Sequence, residues 1–187
     1  MSTSNDFRNG MALNIDGKLV TIVEFQHVKP GKGGAFVRSK LKDVRTGAVV
    51  EKTWRAGEKV EEVRLERIPM QFLYQDDDML NVMHPETFDQ IAIPASLLGN
   101  AIKFLKESAQ IEVMMHGEKP ITAELPNFLE LEVTSTEPGF KGNTATGATK
   151  PATVETGAEV AVPLFIEVGN VLKIDTRKGV YMERVKI

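Results

Sequence analysis

The chain has 187 residues, 42% of them hydrophobic and 26% charged, with no cysteine and a net charge of −3 at pH 7. This is the composition of a globular protein. It excludes disulfides and thiolate metal sites, and the mildly acidic balance argues against simple coating of nucleic acid. The longest apolar stretches, residues 91–98 and 160–166, are interrupted by proline and too short to span a bilayer. Residues 1–8 lack the apolar segment of a signal peptide. A cytoplasmic protein without a membrane partner is expected.

Charge is unevenly distributed. Residues 1–64 hold 12 Lys+Arg against 8 Asp+Glu, residues 65–127 hold 4 against 10, and residues 128–187 hold 7 against 8. The first third also carries a succession of strand-like runs, at 12–15, 19–28, 35–44, 49–54 and near 60–65, separated by glycine turns. Short strands with regular glycine turns predict a small β-barrel. Trp54, the only tryptophan, reads as a core or lid residue.

Between the second and third runs lies Lys29-Pro30-Gly31-Lys32-Gly33-Gly34. Pro30 fixes φ at the entrance, and the glycines admit angles that side chains forbid. Lys32 is left as the long side chain of the tip. On the outgoing strand, alternation puts Phe36, Arg38, Lys40 and Lys42 on one face and Val37, Ser39 and Leu41 on the other. The three cations recur about every 6–7 Å, close to the phosphate spacing of a nucleic-acid strand. Spacing alone leaves two readings open, an ordinary solvated face and a row of phosphate contacts.

The middle third continues in β: strands at 69–75, 79–84, 88–93, 111–116 and 121–125, with a helix predicted over 94–105, where Pro94 suits a first turn. Five strands with one late helix is OB-like. Asp76-Asp77-Asp78 reads as a solvated turn and not as a cation site. In the last third, residues 128–133 alternate as a half-buried strand. Residues 137–157 then lose the pattern, with four glycines and five threonines, and read as one long loop. Strands resume at 160–167, 171–175 and 180–185, indicating a second OB-type barrel. The expected domains are 1–64, 65–127 and 128–187.

Catalytic signatures are missing. His27, His84 and His116 are isolated from one another, and no zinc, EF-hand or serine-hydrolase motif occurs. Gly31-Lys32-Gly33-Gly34 lacks the spacing, the following Ser/Thr and the helix of a phosphate loop. The expectation is a protein that is not an enzyme, with no catalytic residues, metal or cofactor.

Several long motifs carry a resemblance. His27-Val28-Lys29-Pro30-Gly31-Lys32-Gly33-Gly34-Ala35-Phe36-Val37-Arg38, Arg45-Thr46-Gly47 and Thr53-Trp54-Arg55-Ala56-Gly57-Glu58-Lys59-Val60 closely resemble bacterial elongation factor P. So do Glu137-Pro138-Gly139, Thr144-Ala145-Thr146-Gly147-Ala148-Thr149-Lys150, Ala152-Thr153-Val154-Glu155-Thr156-Gly157 and Ile174-Asp175-Thr176-Arg177. The resemblance covers essentially the whole chain and is weakest in the middle third. It implies an all-β fold of three barrels, an SH3-like (KOW-type) domain and two OB-type domains, in an L-shaped, tRNA-like arrangement.

In function it implies a translation factor that binds both ribosomal subunits between the P and E tRNA sites, as a monomer, and relieves stalling at consecutive prolines. By the same resemblance, Lys32 contacts the P-site peptidyl-tRNA and is often covalently extended by a modifying enzyme. β-Lysylation, another lysine modification or none all remain open, and only the arginine-type rhamnosylation is excluded. Lys29, Pro30, Gly31, Gly33 and Gly34 shape the tip. Arg38, Lys40 and Lys42 are added as RNA-binding residues on charge alone. Gly142-Asn143-Thr144 matches a loop near the E-site codon, where aspartate is usual at the position of Asn143. Asparagine drops the charge but keeps the carbonyl acceptor. The rival readings are a specialised paralogue and a general RNA-binding OB/SH3 protein. The second predicts aromatic-studded basic faces, yet aromatics are 6% and do not cluster in basic stretches.

Overall fold

The computed structural model describes residues 1–139 and 147–185. By their contacts they divide into two units, Met1–Arg67 with Met114–Thr122, and Ile68–Val113 with Ala123–Ile187. Among the described residues sixteen strands form three sheets, and no helix is long and apolar enough to cross a membrane.

The first sheet contains β1 (Ser2–Thr3), β2 (Ala12–Ile15), β3 (Lys18–Val28), β4 (Phe36–Asp43), β5 (Val49–Arg55) and β6 (Lys59–Val63), ordered β1-β6-β2-β3-β4-β5. Asp16 and Gly17, both at positive φ, make the two-residue link between β2 and β3 that matches strand twist. Inward positions supply Leu13, Val20, Ile22, Val37 and Leu41, packed with Phe7, Met11 and Trp54. Trp54 is a core residue. Phe7 meets its ring edge-on at 5.4 Å, and its Nε1–H donates to the buried Ser39 Oγ at 2.8 Å.

The second sheet contains β7 (Glu66–Asp76), β8 (Met79–Met83), β9 (Gln90–Pro94), β10 (Gln110–His116) and β11 (Lys119–Glu124), ordered β11-β10-β7-β8-β9. The helix expected over 94–105 is different in kind. Pro94 is extended and closes β9, and Ala95–Phe104 is 3₁₀ structure broken at Gly99, whose φ of 54° and ψ of −136° belong to no helix. The segment is anchored by buried Leu98 and Phe104, so two short turns suffice to cover the core.

The third sheet contains β12 (Phe128–Thr136), β13 (Thr149–Val154), β14 (Glu159–Pro163), β15 (Val171–Asp175) and β16 (Val180–Arg184), ordered β14-β13-β12-β15-β16. β14 also packs against β16, curling the sheet into a barrel. β13 corrects the long-loop reading of residues 137–157. Its inward residues Lys150, Ala152 and Val154 are buried, but proline, lysine and threonine hide the alternation. Pairing with β12 runs from Val133↔Val154 to Thr136↔Ala152 and stops short of Pro151, where an N–H is lacking. The ammonium of Lys150, 7% exposed, donates to the Glu137 carbonyl at 2.6 Å.

Candidate functional site: the basic hairpin of the first sheet

β3 and β4 pair from Val20↔Asp43 to Val28↔Phe36, with a bulge between Ile22 and Glu24. On β4, Val37, Ser39 and Leu41 are buried, each at most 2% exposed, while Arg38 and Lys42 are exposed and Phe36 and Lys40 half-buried. The alternation expected from sequence is therefore present, and it aims the basic row away from the core.

Residues 29–35, beyond the last pair, are all exposed. Gly33 has a φ of +110°, which side chains rarely adopt. A Cβ on Gly31 or Gly34 would meet nothing within 4 Å, so packing inside the protein does not demand glycine at either position. Lys29 and Lys32 have no carboxylate partner among the described residues.

The cations below the tip are not equivalent. Arg38 lies 5.7 Å from the centre of the Phe36 ring and has no ion-pair partner among the described residues. Lys40 pairs with Glu24 at 2.8 Å across the β3–β4 ladder. The hydrogen bond to Glu24, with the charges of Glu24 and Glu51, raises its pKa above the usual lysine range. Lys42 is exposed at the far end of the strand.

Arg55 is a residue that sequence reasoning missed. It ends β5, pairs opposite Phe36 and is exposed. Its backbone is fixed at both ends, with its N–H donating to Glu58 Oε2 at 2.9 Å and its carbonyl accepting from Ser4 Oγ at 2.7 Å. Phe36 thus has Arg38 along its strand and Arg55 across from it. Only the strand register brings Arg55 to this face. Gly142, Asn143 and Thr144 lie outside the described residues. Among those described, no group of three or more His, Cys, Asp or Glu side chains is placed to hold a metal ion.

An exposed basic hairpin, thin at its tip and continuous with the first of three curled sheets, defines the class: an all-β protein of small barrels with a two-stranded arm that is basic on its outer face. Three family models match in succession: the elongation factor P KOW-like domain over residues 3–60, its OB domain over 65–123 and its C-terminal domain over 129–184. Elongation factor P 1 of Porphyromonas gingivalis is 58% identical over 188 residues, covering 100% of both chains. Elongation factor P of Pelotomaculum thermopropionicum is 55% identical over 185 residues, covering 99% of this chain and all of that one. A solved structure, a translation initiation factor eif-5a family protein from Naegleria fowleri, shares the fold. It has a TM-score of 0.54 and 16% identity, over 67% of this chain and 94% of its own. The chain belongs to the elongation factor P family, and it is a translation factor.

Proposed function

We propose that the protein binds the ribosome between the P and E tRNA sites, as a monomer contacting both subunits, and stimulates peptide-bond formation at consecutive prolines. The observation that carries this reading is Lys32. It stands exposed, without an ion pair among the described residues, at the end of an arm where Gly31 and Gly34 face open space. Only residues 29–35 lie beyond the last strand pair and the buried Val37, so the arm above the barrel is about three residues a side, roughly 10 Å at about 3.3 Å per residue, and thin enough to enter a narrow RNA cleft.

The chemistry asked of the protein is positioning. Proline has a restricted φ, and a run of prolines holds the reacting ends in poor geometry. Fixing the peptidyl-tRNA lowers the entropic part of the barrier without a general base, and each 1.36 kcal/mol recovered is about tenfold in rate. Lys29, Pro30, Gly31, Gly33 and Gly34 shape the tip against the peptidyl-tRNA, and Arg38 and Lys42 hold RNA phosphates. Lys40 contributes less, because Glu24 already occupies its ammonium. Lys32 is the residue a modifying enzyme would extend, and Gly142-Asn143-Thr144 is assigned to the E-site codon by its family motif.

The test is translation of a reporter with three consecutive prolines in a purified system, comparing no factor, the wild type and Lys32→Ala. Wild type relieves the pause and Lys32→Ala does not. Equal relief by both proteins would remove Lys32 from the mechanism. Relief by neither, from protein whose intact mass shows the modification of its native host, would overturn the assignment.

A further inference from the structure

The motif Ile174-Asp175-Thr176-Arg177 has no part in the hairpin mechanism, yet it builds a heavily hydrogen-bonded turn in the third sheet. Asp175 is 3% exposed. Its Oδ1 accepts from the Arg177 N–H at 2.9 Å and from Arg177 Nε at 3.2 Å, and its Oδ2 accepts from Arg177 Nη2 at 2.8 Å. The Lys178 N–H also points at Oδ1, at 3.4 Å. Thr176 Oγ1 donates to the Pro126 carbonyl at 2.6 Å, and its N–H donates to the Asn127 carbonyl at 3.0 Å. Gly179 closes the turn at a φ of +68°. A four-residue link between two strands does not need so many restraints. Their effect is to fix one guanidinium in space.

That guanidinium lies against an aromatic ring on the outer face of the sheet. Phe128, opposite Asp175 on β12, is 42% exposed and belongs to the outward set of its strand, so the core does not explain it. Arg177 lies 5.6 Å and Lys173 5.4 Å from the ring centre, within cation–π range. Lys173 is itself fixed by Glu183 at 3.0 Å. Two lysines beside the turn carry no carboxylate partner among the described residues. One is Lys178. The other is Lys103, whose Nζ would lie 3.5 Å from a Cβ on Gly179.

We propose that Phe128, framed by Arg177 and Lys173, stacks an unpaired base of single-stranded RNA, with the flanking phosphates held by Lys178 and Lys103. Unpaired bases stack on aromatic rings and on arginine planes, and the link between the fourth and fifth strands is one of the loops with which OB barrels grip oligonucleotides. An acidic peptide fits less well. The Arg177 and Lys173 charges are already matched by Asp175 and Glu183, and Glu130 stands opposite Lys173 on β12, which leaves a ring and two lysines. The site is independent of the hairpin and adds a second RNA contact to a chain whose last two thirds are net acidic.

The experiment measures binding of the full chain to single-stranded decaadenylate by fluorescence anisotropy, with a blunt RNA duplex of equal length as comparison. The variants are Phe128→Leu, Phe128→Tyr, Lys178→Ala and, for the hairpin, Lys32→Ala. Phe128→Leu weakens single-strand binding by about fivefold or more, the scale of one lost base–aromatic stack. Phe128→Tyr restores it, and neither changes duplex binding. Should Phe128→Leu fail to fold, backbone amide shifts of the wild type on addition of decaadenylate replace it, with Phe128, Arg177 and Lys178 moving. Unchanged affinity in Phe128→Leu, shifts confined to residues 29–35, loss in Lys32→Ala alone, or no binding at all would each overturn the proposal.

Discussion

The tip that carries Lys32 and the turns of the third sheet use the same residue types for opposite ends. Beyond the Val28↔Phe36 pair, residues 29–34 make no hydrogen bond or ion pair among the described residues. Their shape comes from Pro30 and from three glycines, of which Gly31 and Gly34 have empty space around them. The β15–β16 turn is pinned through Asp175 and Thr176. Gly139 sits where a Cβ would fall 2.5 Å from the Leu164 carbonyl oxygen. In the third sheet a glycine answers to the protein's own backbone. At the tip nothing in the described chain demands glycine at 31 or 34, and under the proposed function the neighbour is RNA.

Substitution separates the two cases, and the largest effect belongs to Gly139→Ala. Leu164 O is backbone and cannot swing aside, so the protein has to shift at a cost of about 1–3 kcal/mol, as for other overpacked sites. Urea unfolding measures it. An unchanged midpoint would mean that the close approach to Leu164 relaxes freely.

Acid sharpens the contrast next. The hydrogen bond from the Arg177 guanidinium, ahead of the backbone N–H groups and the Arg177 charge, lowers the pKa of Asp175 from 3.8 to about 2. A carboxyl depressed in the folded state stabilises fully above its unfolded pKa and loses that contribution as the pH falls through the folded one. The third sheet therefore loses stability between pH 3.8 and about 2, and Asp175→Asn flattens this part of the profile. The tip, with no such carboxylate, contributes nothing in that window. Unfolding followed from pH 5 to pH 2 in both proteins checks it.

Much of this was legible in the sequence because strand alternation and glycine turns are local signals. The β3–β4 hairpin, its buried face and the core role of Trp54 all follow from residues close together in the chain. The misses lie where local signals mislead. β13 hides behind Pro151 and a buried lysine whose charge is satisfied by a carbonyl thirteen residues away. The 95–104 segment has helical composition but breaks at Gly99. Arg55 joins the hairpin face through pairing alone, and the neutralisation of Lys40 by Glu24 depends on a bulged register that periodicity does not encode.

Gly34→Ala sets stability against function at the tip itself. Its φ is not positive and nothing lies within 4 Å of the added methyl, so the substitution stabilises by about 0.4–1 kcal/mol through the unfolded chain. Under the proposed function it nevertheless slows relief of the three-proline pause, because the methyl meets RNA. A variant both more stable and fully active would show that no partner closes on Gly34.

The smallest expected effect tests the inequality of the basic row. Arg38 has no carboxylate partner among the described residues, while Lys40 is held by Glu24 at 2.8 Å. A phosphate drawn to Lys40 has to compete with that carboxylate at contact distance, whereas one drawn to Arg38 displaces only counterions and water. Each phosphate contact to a single strand adds about 0.7 to the slope of log affinity against log salt. Arg38→Gln therefore lowers the measured slope for RNA by about 0.7. The double variant Glu24→Gln/Lys40→Gln keeps the net charge of the face and leaves the slope where it was. If the double variant lowers it as much as Arg38→Gln, Glu24 releases Lys40 on binding, and the row of three cations inferred from spacing acts as a unit after all.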